Sequence, residues 1–312
     1  MNTFGEACIM VREPALEVIA FLKNANYSHP ALRFVIYGRN GTGKTTTLMH
    51  IVHFGYQAEY LLVHVPWVSN WTKRPKEVVA SQFEENRIDL PVESALWLQH
   101  FKSQNSDLMQ KLDLKTSKSY TWSKREVTEE GKPLMEVVEH GLQRVRHSSD
   151  CIAVLLKEIK YHSQFGKFKT LLIVDGVNAI FTKTNVKRPD QSLVPAPEIT
   201  IVNAVMKMLK NDWTNAAVIT SVDVIPFNRN STMQDPYTPR ALLGKEGFEL
   251  LDPFIPIQTK HYTEKEAESA LDYYTNRLWI QSEEARSEDG RKQLKFLSGY
   301  NPLILMKICD PI

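Results

Sequence analysis

The sequence GRNGTGKT, from Gly38 to Thr45, restricts the fold of this 312-residue chain more than any other segment. It follows the apolar run LRFVIY, precedes a helical pattern, and matches the spacing G-x-x-x-x-G-K-[ST] at every fixed position. Glycines at these positions let the backbone curl so that its N–H groups face a phosphate, and the lysine adds a positive charge. This context favours a phosphate-binding loop, or P-loop, over an ordinary glycine turn.

The predicted nucleotide-binding residues extend from the loop into the first turn of the helix. Lys44 is expected at the β- and γ-phosphates, and the hydroxyl of Thr45 is expected to ligate Mg²⁺. The N-terminus of the helix adds its dipole to the anion site. The residues predicted to bind the nucleotide here are Arg39, Asn40, Gly41, Thr42, Gly43, Lys44, Thr45 and Thr46.

A second motif, LLIVDGVNAI, places Asp175 at the end of another apolar run. A carboxylate at this position can hold Mg²⁺ or its water shell, as the Walker-B aspartate of P-loop proteins does. An aspartate that only caps a turn is the alternative, but the upstream P-loop favours the metal role. Thr45 and Asp175 are therefore the predicted metal residues.

Five short apolar runs rich in Val and Ile are typical of buried parallel strands. Helical patterns lie between them, which predicts an α/β fold with a five-stranded parallel sheet flanked by helices on both faces. The runs begin at Leu32, Glu59, Thr170, Ala216 and Pro253.

The expected organisation is a P-loop core over residues 1–250, followed by the last core strand and a C-terminal helical lid over residues 251–312. A segment from about residue 69 to residue 169 separates the second and third apolar runs. A structureless loop of that length is improbable, so we predict a long helical insertion. Its part from Lys132 to Gln164 fits either two helices or one interrupted helix. In the tail, Thr263 and Glu266 form a capping-box pattern.

Composition argues against several other classes. The three cysteines are far apart and form no C-x-x-C pair, so we expect neither a disulfide framework nor a zinc site. The net charge of +2 does not by itself indicate nucleic-acid binding. No apolar run reaches the ~20 residues that span a bilayer. The N-terminal segment lacks the pattern of a signal or transit peptide, which predicts a cytosolic protein or a chain that begins after such a segment.

The two motifs resemble those of the AAA+ and STAND classes of P-loop ATPases. That resemblance makes Ser221, or alternatively Thr220, a candidate for contact with the γ-phosphate or the attacking water. In these classes a water-activating glutamate usually follows the Walker-B aspartate, and Gly176 stands there instead. Leu303 replaces an arginine often found in the lid. We therefore predict no catalytic residue, and hydrolysis that is very slow or absent.

Longer segments resemble the death-associated protein 3 family, the GTP-binding proteins of the mitochondrial small ribosomal subunit. They include MVREPALEVIAFLKN, TWSKREVTEEGKPLMEVVEHGLQRVR and LLGKEGFELLDPFIPI, and the resemblance covers about residues 4–309. It implies a location on the ribosome of the mitochondrial matrix, with GTP or GDP and Mg²⁺ bound. The implied partners are small-subunit rRNA and neighbouring ribosomal proteins. The family has an N-terminal extension with a transit peptide, so we expect this chain to be a processed, trimmed or renumbered form.

Three functions are compatible with these patterns. The first is a structural component of the mitochondrial small subunit that keeps a guanine nucleotide, with little or no turnover, and supports translation. The second is a STAND-type signalling switch, linked to apoptosis through the family, and the third is an AAA+ ATPase. Because an ATPase motor needs a water-activating carboxylate and an arginine finger, neither of which can be named, the sequence favours the first.

A basic stretch between Asp107 and Arg125 is a candidate RNA contact. It has five basic residues against two acidic ones, with Tyr120 and Trp122 between them. That mixture suits contact with an RNA backbone and stacking on its bases. A solvated helix end with its aromatic residues in the core explains the same pattern, and the sequence does not decide between the two.

Overall fold

The computed structural model describes residues 6–224 and 237–310, which form twelve helices and nine strands. The helices are α1 (Glu13–Asn24), α2 (Lys44–Gln57), α3 (Ser69–Lys73), α4 (Pro91–Leu112), α5 (Leu134–Gln143), α6 (Ser148–Ser163), α7 (Thr200–Leu209), α8 (Pro239–Leu251), α9 (Glu264–Asn276), α10 (Glu283–Arg286), α11 (Glu288–Ser298) and α12 (Pro302–Cys309). The strands are β1 (Leu32–Tyr37), β2 (Leu61–Val65), β3 (Val79–Ala80), β4 (Ile88–Asp89), β5 (Tyr120–Thr121), β6 (Val127–Thr128), β7 (Thr170–Val174), β8 (Ala216–Ser221) and β9 (Ile255–Gln258).

Strands β2, β7, β8, β1 and β9 form one parallel sheet in that order. Each corresponds to one of the five apolar runs, so the predicted α/β fold with a five-stranded parallel sheet is confirmed. Every residue of β2, β7 and β8 is buried, because helices cover both faces of the sheet. The carboxyl ends of β7, β8 and β1 lie side by side, and the residues that follow these strands can meet there.

The side chains of β1 alternate between two apolar clusters, one on each face of the sheet. Phe34 and Ile36 pack with Leu22 of α1 and Ile51 of α2. Val35 points to the opposite face and belongs to the larger cluster, which includes residues of α4 to α7. Full burial of one such side chain contributes about 1.5–3 kcal/mol, so these two layers hold β1 and the loop after it in place.

The segment between β2 and β7 contains the predicted helical insertion, made of helices α3 to α6. The segment PVESALWLQHFKSQNSDLMQKL opens with a proline and has apolar residues at helical spacing, which predicts a helix, and α4 has the bounds of this segment. Helices α5 and α6 are separate, because a 3-10 turn over residues 145–147 lies between them, and this decides the alternative that the sequence left open. The antiparallel pairs β3–β4 and β5–β6 were not predicted, since two-residue strands are too short to show a periodicity.

Helices α9 to α12 form the C-terminal lid, which has a small apolar core of its own. The capping box of Thr263 and Glu266 is present at the start of α9, as predicted. The side chain of Asn301 caps α12 by accepting hydrogen bonds from two N–H groups of its first turn. The domain boundary at residue 250 stays a prediction. Within residues 6–224 and 237–310, no helix is long and apolar enough to cross a membrane.

Candidate functional site

Two glycines curl the P-loop between β1 and α2. Gly41 has a φ angle of 79° and Gly43 one of 93°, a region that residues with a Cβ atom rarely adopt. A Cβ atom on Gly41 would lie 2.5 Å from Oδ1 of Asn301 and 2.7 Å from Cβ of Leu303. The two glycines therefore allow the predicted curl of the backbone, and the lack of a side chain on Gly41 also allows the lid to approach closely.

Lys44 is buried beneath the loop. Its Nζ donates hydrogen bonds to the carbonyl oxygens of Gly38 and Arg39, both at 3.1 Å. The same atom lies 3.9 Å from Oδ1 of Asp223. Burial lowers the pKa of Lys44, and the negative charges of Asp223 and Asp175 oppose that shift. The loop thus fixes the position of the ammonium group that is predicted to bind the phosphates of the nucleotide.

Asp175 connects the ends of β7, β8 and the P-loop. Its Oδ2 accepts a hydrogen bond from Oγ1 of Thr45 at 2.7 Å, and its Oδ1 accepts one from Oγ of Ser221. Ser221 in turn accepts a hydrogen bond from the N–H of Gly176 at 2.9 Å. Burial raises the pKa of Asp175, and the hydrogen bonds from Ser221 and Thr45 oppose the rise. The two predicted metal residues are therefore in contact, with Ser221 beside them.

A second carboxylate, Asp223, lies at the same edge of the sheet and was missed by the sequence analysis. It is 8% exposed and follows β8 by two residues. Asn178 fixes its main chain, since Nδ2 donates to the carbonyl oxygen of Asp223 at 2.7 Å and Oδ1 accepts from its N–H at 3.0 Å. The only sequence signal for Asp223 is its position just after a strand of the sheet. Thr220, which was the alternative to Ser221 as a candidate, turns away from the site and donates to the carbonyl oxygen of Phe34 at 3.0 Å.

Three consecutive carbonyl groups of the P-loop are bound from outside the loop. The oxygen of Asn40 accepts from Nδ2 of Asn301 at 2.9 Å, that of Gly41 from the N–H of Leu303 at 3.2 Å, and that of Thr42 from Nη1 of Arg12 at 2.7 Å. In a trans peptide the N–H points opposite to the carbonyl. These contacts, which we call the loop–lid joint, therefore turn the following N–H groups away from the lid. Of these groups, the N–H of Thr42 donates to the carbonyl oxygen of Arg39 at 3.4 Å.

Arg12 brings a third segment of the chain to this joint. It precedes α1, and its Nε donates to Oε1 of Glu266 on α9 at 2.8 Å. The guanidinium group also lies over the ring of Tyr262, at 5.0 Å from the ring centre. Arg12 and the contacts of Asn301 were not predicted, because their partners are far away along the chain: Arg12 lies 254 residues from Glu266.

A cleft of about 1060 Å³ extends from the P-loop to the lid. Lys44, Thr45, Thr46, Asp175 and Asp223 line its polar end. The other end is lined by Ile9, Met10, Tyr262, Tyr273, Tyr274 and Trp279. The volume matches that of sites for small molecules and cofactors, in which apolar walls surround a few polar groups. A ligand with an anionic end and a flat ring would fit this division.

The basic stretch between Asp107 and Arg125 presents less to solvent than its sequence suggests. Trp122 is 4% exposed, and its Nε1 donates to Oγ1 of Thr128 at 2.9 Å. The hydroxyl of Tyr120 donates to the buried carboxylate of Glu158. Both rings are therefore engaged by the protein, which favours the alternative of aromatic residues tucked into the core.

A cluster in the insertion brings together three groups that could bind a metal. Nε2 of His140 and Nδ1 of His147 are 3.0 Å apart, and the ligand atoms of these residues and Glu126 lie within 4.8 Å of one another. Nε of Arg144 donates to Oε1 of Glu126 at 2.8 Å, and the ring of His140 stacks on that of Trp122. Because these protein contacts account for the cluster, we assign it a structural role.

The sheet, the curled glycine loop after β1 and the aspartate at the end of β7 define the P-loop NTPase class of fold. The sequence matches the family described as "Mitochondrial ribosomal death-associated protein 3" over residues 9–308. This chain therefore belongs to that family.

Two curated relatives have the same name, small ribosomal subunit protein mS29. The protein from Bos taurus is 43% identical over 312 residues, which covers 99% of this chain and 77% of that protein. The protein from Mus musculus is 44% identical over 309 residues, which covers 99% of this chain and 78% of that protein.

Solved structures give more distant likenesses. CDC6P from Pyrobaculum aerophilum has a TM-score of 0.36 and 12% identity, over 88% of this chain and 52% of that one. A chain of the HORMA:CdnC:Trip13 complex from E. coli has a TM-score of 0.32 and 9% identity, over 91% of this chain and 75% of that one. Likenesses this weak do not support a fold assignment, which depends here on the sheet topology described above.

The loop–lid joint predicts a specific effect of replacing Arg12. Arg12→Gln is expected to lower the free energy of unfolding by about 1.5–3 kcal/mol, because charged hydrogen bonds to Thr42 and Glu266 are lost. It is also expected to speed amide hydrogen exchange in residues 40–46. Both effects can be measured on nucleotide-free protein by urea denaturation and by exchange with mass-spectrometric detection.

The matched control is Arg291→Gln. Arg291 pairs with Glu268 and Asp272 within the lid and does not contact the loop. Equal exchange in the loop of both variants would show that Arg12 does not hold the P-loop.

Proposed function

We propose that this chain is a structural component of the mitochondrial small ribosomal subunit, where it keeps a guanine nucleotide with Mg²⁺ and turns it over little or not at all. Membership of the mitochondrial ribosomal death-associated protein 3 family supports the ribosomal role and the location in mitochondria. The observation that carries the nucleotide part is the P-loop, which is complete in sequence and is tied by three of its carbonyl groups to the lid and to Arg12.

The residues of the loop suit a nucleotide phosphate chain. Lys44 would supply a positive charge, and the N-terminus of α2 and the N–H groups of the loop would supply hydrogen bonds. Thr46, Asn40 and Arg39 lie on the exposed side of the same curl. Thr42 has a different role, because its hydroxyl contacts that of Thr259 at 2.7 Å and helps to fix the loop beside β9.

The charges of the site favour a divalent cation alongside the phosphates. Lys44 faces two buried carboxylates, Asp175 and Asp223, so a phosphate chain would add negative charge to a site that already has an excess of it. Mg²⁺ prefers oxygen ligands, and Thr45 and Asp175 offer a hydroxyl and a carboxylate that touch each other. These two residues would hold the ion, which would neutralise charge on the phosphates.

The aromatic end of the cleft suits a base. Tyr262, Tyr274 and Trp279 give flat apolar surface between the lid and the N-terminal segment. Guanine is the base that the family resemblance implies, and GTP or GDP is therefore the proposed ligand. A nucleotide in this position would touch both the core and the lid, and would stabilise the fold by mass action.

Slow turnover follows from the groups around the phosphate end. Gly176 stands where a glutamate would orient water, and the main chain of Leu303 faces the loop where a lid arginine would add charge. Asp223 is a further carboxylate at this end, and it lies on the Lys44 side of the site. Tight binding of the ground state without groups that favour the transition state does not accelerate the chemistry.

The proposal predicts that the chain and its nucleotide are recovered together from the particle. The wild-type chain expressed in mitochondria should sediment with small subunits and yield about one GTP or GDP per chain on extraction. Lys44→Ala should lose the nucleotide, because the phosphate charge loses its buried cation. Chromatography of the extracted nucleotide measures the loss.

Lys23→Ala is the control, since Lys23 is an exposed lysine remote from the P-loop. A wild-type chain that stays at the top of the gradient would overturn the ribosomal role. Equal nucleotide content in the wild type and Lys44→Ala would overturn the phosphate role of the loop.

The proposed metal site predicts a change that depends on Mg²⁺. Asp175→Asn is expected to weaken GTP binding at least about tenfold in the presence of Mg²⁺, since an amide is a poorer ligand than a carboxylate. In EDTA the variant and the wild type should bind alike. Titration with a fluorescent GTP analogue, with Asp212→Asn as an exposed control, measures both conditions, and an equal effect in EDTA would exclude a metal role for Asp175.

The proposed lack of turnover predicts the outcome of a hydrolysis assay. GTP bound to the purified chain, and to intact small subunits, should remain GTP over many minutes in single-turnover measurements. A multiple-turnover rate near about 1 s⁻¹, the low end for typical enzymes, would contradict the proposal. If Asp223→Asn abolished such a rate, the chain would instead function as a switch or a motor with Asp223 as its water-orienting group.

A further inference from the structure

A surface formed by helices α6 and α7 and the loop before strand β5 combines lysines with exposed rings. We define the basic–aromatic face by Lys118, Lys157, Lys207, Tyr161 and Phe165. Lys157, Tyr161 and Phe165 follow one another at intervals of four residues, so they lie along one side of α6 and its C-terminal end. Lys118 comes from the insertion and Lys207 from α7. None of these residues belongs to the P-loop, the lid or the cleft.

The lysines of this face crowd one another. Lys118, followed by burial and then Lys207, lowers the pKa of Lys157, while the buried carboxylate of Glu158 acts in the opposite direction. In the part of the chain that the structure describes, no ion pair involves Lys118, Lys157 or Lys207, although many other lysines have such a partner. The face therefore has an excess of positive charge, which the buried carboxylate of Glu158 offsets only in part.

Two rings stand beside these charges in solvent. Tyr161 is 45% exposed and Phe165 59% exposed. Their ring centres are 5.1 Å apart, and the rings are nearly perpendicular. An exposed pair of this kind leaves flat surface free, and leaving it in water has an energetic cost that stacking of another ring would remove.

The backbone beneath the face is held firmly. Glu158 accepts hydrogen bonds from the N–H of Ser117 at 3.0 Å and from its Oγ at 2.7 Å, which fixes the segment before Lys118 on α6. Nε2 of His162 lies 2.6 Å from the carbonyl oxygen of Lys115. The side chains of the face thus project from a fixed frame, which lowers the entropic cost of binding.

We propose that the basic–aromatic face binds single-stranded RNA, with Lys118, Lys157 and Lys207 at its phosphates and Tyr161 and Phe165 stacked on its bases. This inference rests on the proposed ribosomal function and identifies the surface that would contact rRNA. It also replaces the stretch between Asp107 and Arg125 as the stacking surface, because Trp122 is buried and Tyr120 is bound to Glu158.

The chemistry of the face favours RNA over other partners. Single-stranded RNA is bound by basic grooves that follow the backbone and by aromatic side chains that stack on bases, and this face offers both. An apolar protein partner would leave three lysines to be desolvated without a counter-charge. A double helix would offer phosphates but no free base for the two rings.

The test uses the complete chain and a fluorescein-labelled 12-nucleotide RNA of mixed sequence, followed by fluorescence anisotropy at several salt concentrations. The triple variant K118Q/K157Q/K207Q is expected to reduce the slope of log K against log salt by about 2, since each phosphate contact in a single strand contributes about 0.7. The double variant Y161A/F165A is expected to weaken binding about tenfold or more and to leave that slope unchanged.

Matched controls come from the lid. K265Q/K292Q/K307Q removes the same charge, and F296A/L297A removes exposed apolar side chains of similar size. Both controls should bind the RNA like the wild type. Equal losses in the controls, or no loss in the face variants, would overturn the proposal.

A second arm separates this inference from the proposed function. GTP content and sedimentation with small subunits are measured for the wild type and for all variants. The face variants should keep their GTP and lose incorporation into the subunit. If the face variants lose incorporation but keep their RNA affinity, the RNA proposal is overturned and the face contacts a protein neighbour instead. If the wild type binds RNA but does not sediment with the subunit, only the proposed function is contradicted.

Discussion

The rest of this site depends on the hydrogen bonds that the P-loop carbonyls accept from Asn301, Leu303 and Arg12. A curled glycine loop has several possible conformations, because glycine restricts its backbone little. The loop–lid joint selects one of them by giving each of three successive carbonyls a partner. It also makes the lid a part of the phosphate site, since a shift of the lid would move the peptide planes that present the N–H groups.

The second constraint is the balance of charge below the loop. Lys44 lies beside Asp175 and Asp223, and all three side chains are buried. Burial lowers the pKa of Lys44 and raises that of Asp175, and the attraction between these two charges opposes both shifts. The hydrogen bond from Ser221 also opposes the rise in the pKa of Asp175, and Asn178 positions Asp223 by a hydrogen bond to its main chain.

Periodicity and local motifs predicted most of the fold. The five strands, the bounds of α4 and the capping box of Thr263 depend on residues close together in the chain, and the structure has all of them. Thr45 and Asp175 were predicted to share one metal ion, and the structure brings them into contact although β8 lies between β7 and β1. Arg12, Asp223 and the contacts of Asn301 could not be predicted in this way. Their roles arise from packing between distant segments, and an arginine before a helix or an aspartate after a strand has no distinctive local pattern.

The sequence separations within the loop–lid joint also determine when the site can form during synthesis of the chain. The P-loop lies near the N-terminus, but Arg12 is 254 residues from Glu266, and Asn40 is 261 residues from Asn301. Contacts of such separation form only after the intervening chain is complete, and closing them costs more conformational entropy than local contacts do. A nascent or prematurely terminated chain would therefore contain the whole phosphate motif without the partners that shape it. A complete phosphate site therefore requires that the C-terminal lid has been synthesised and has folded back onto the first strand.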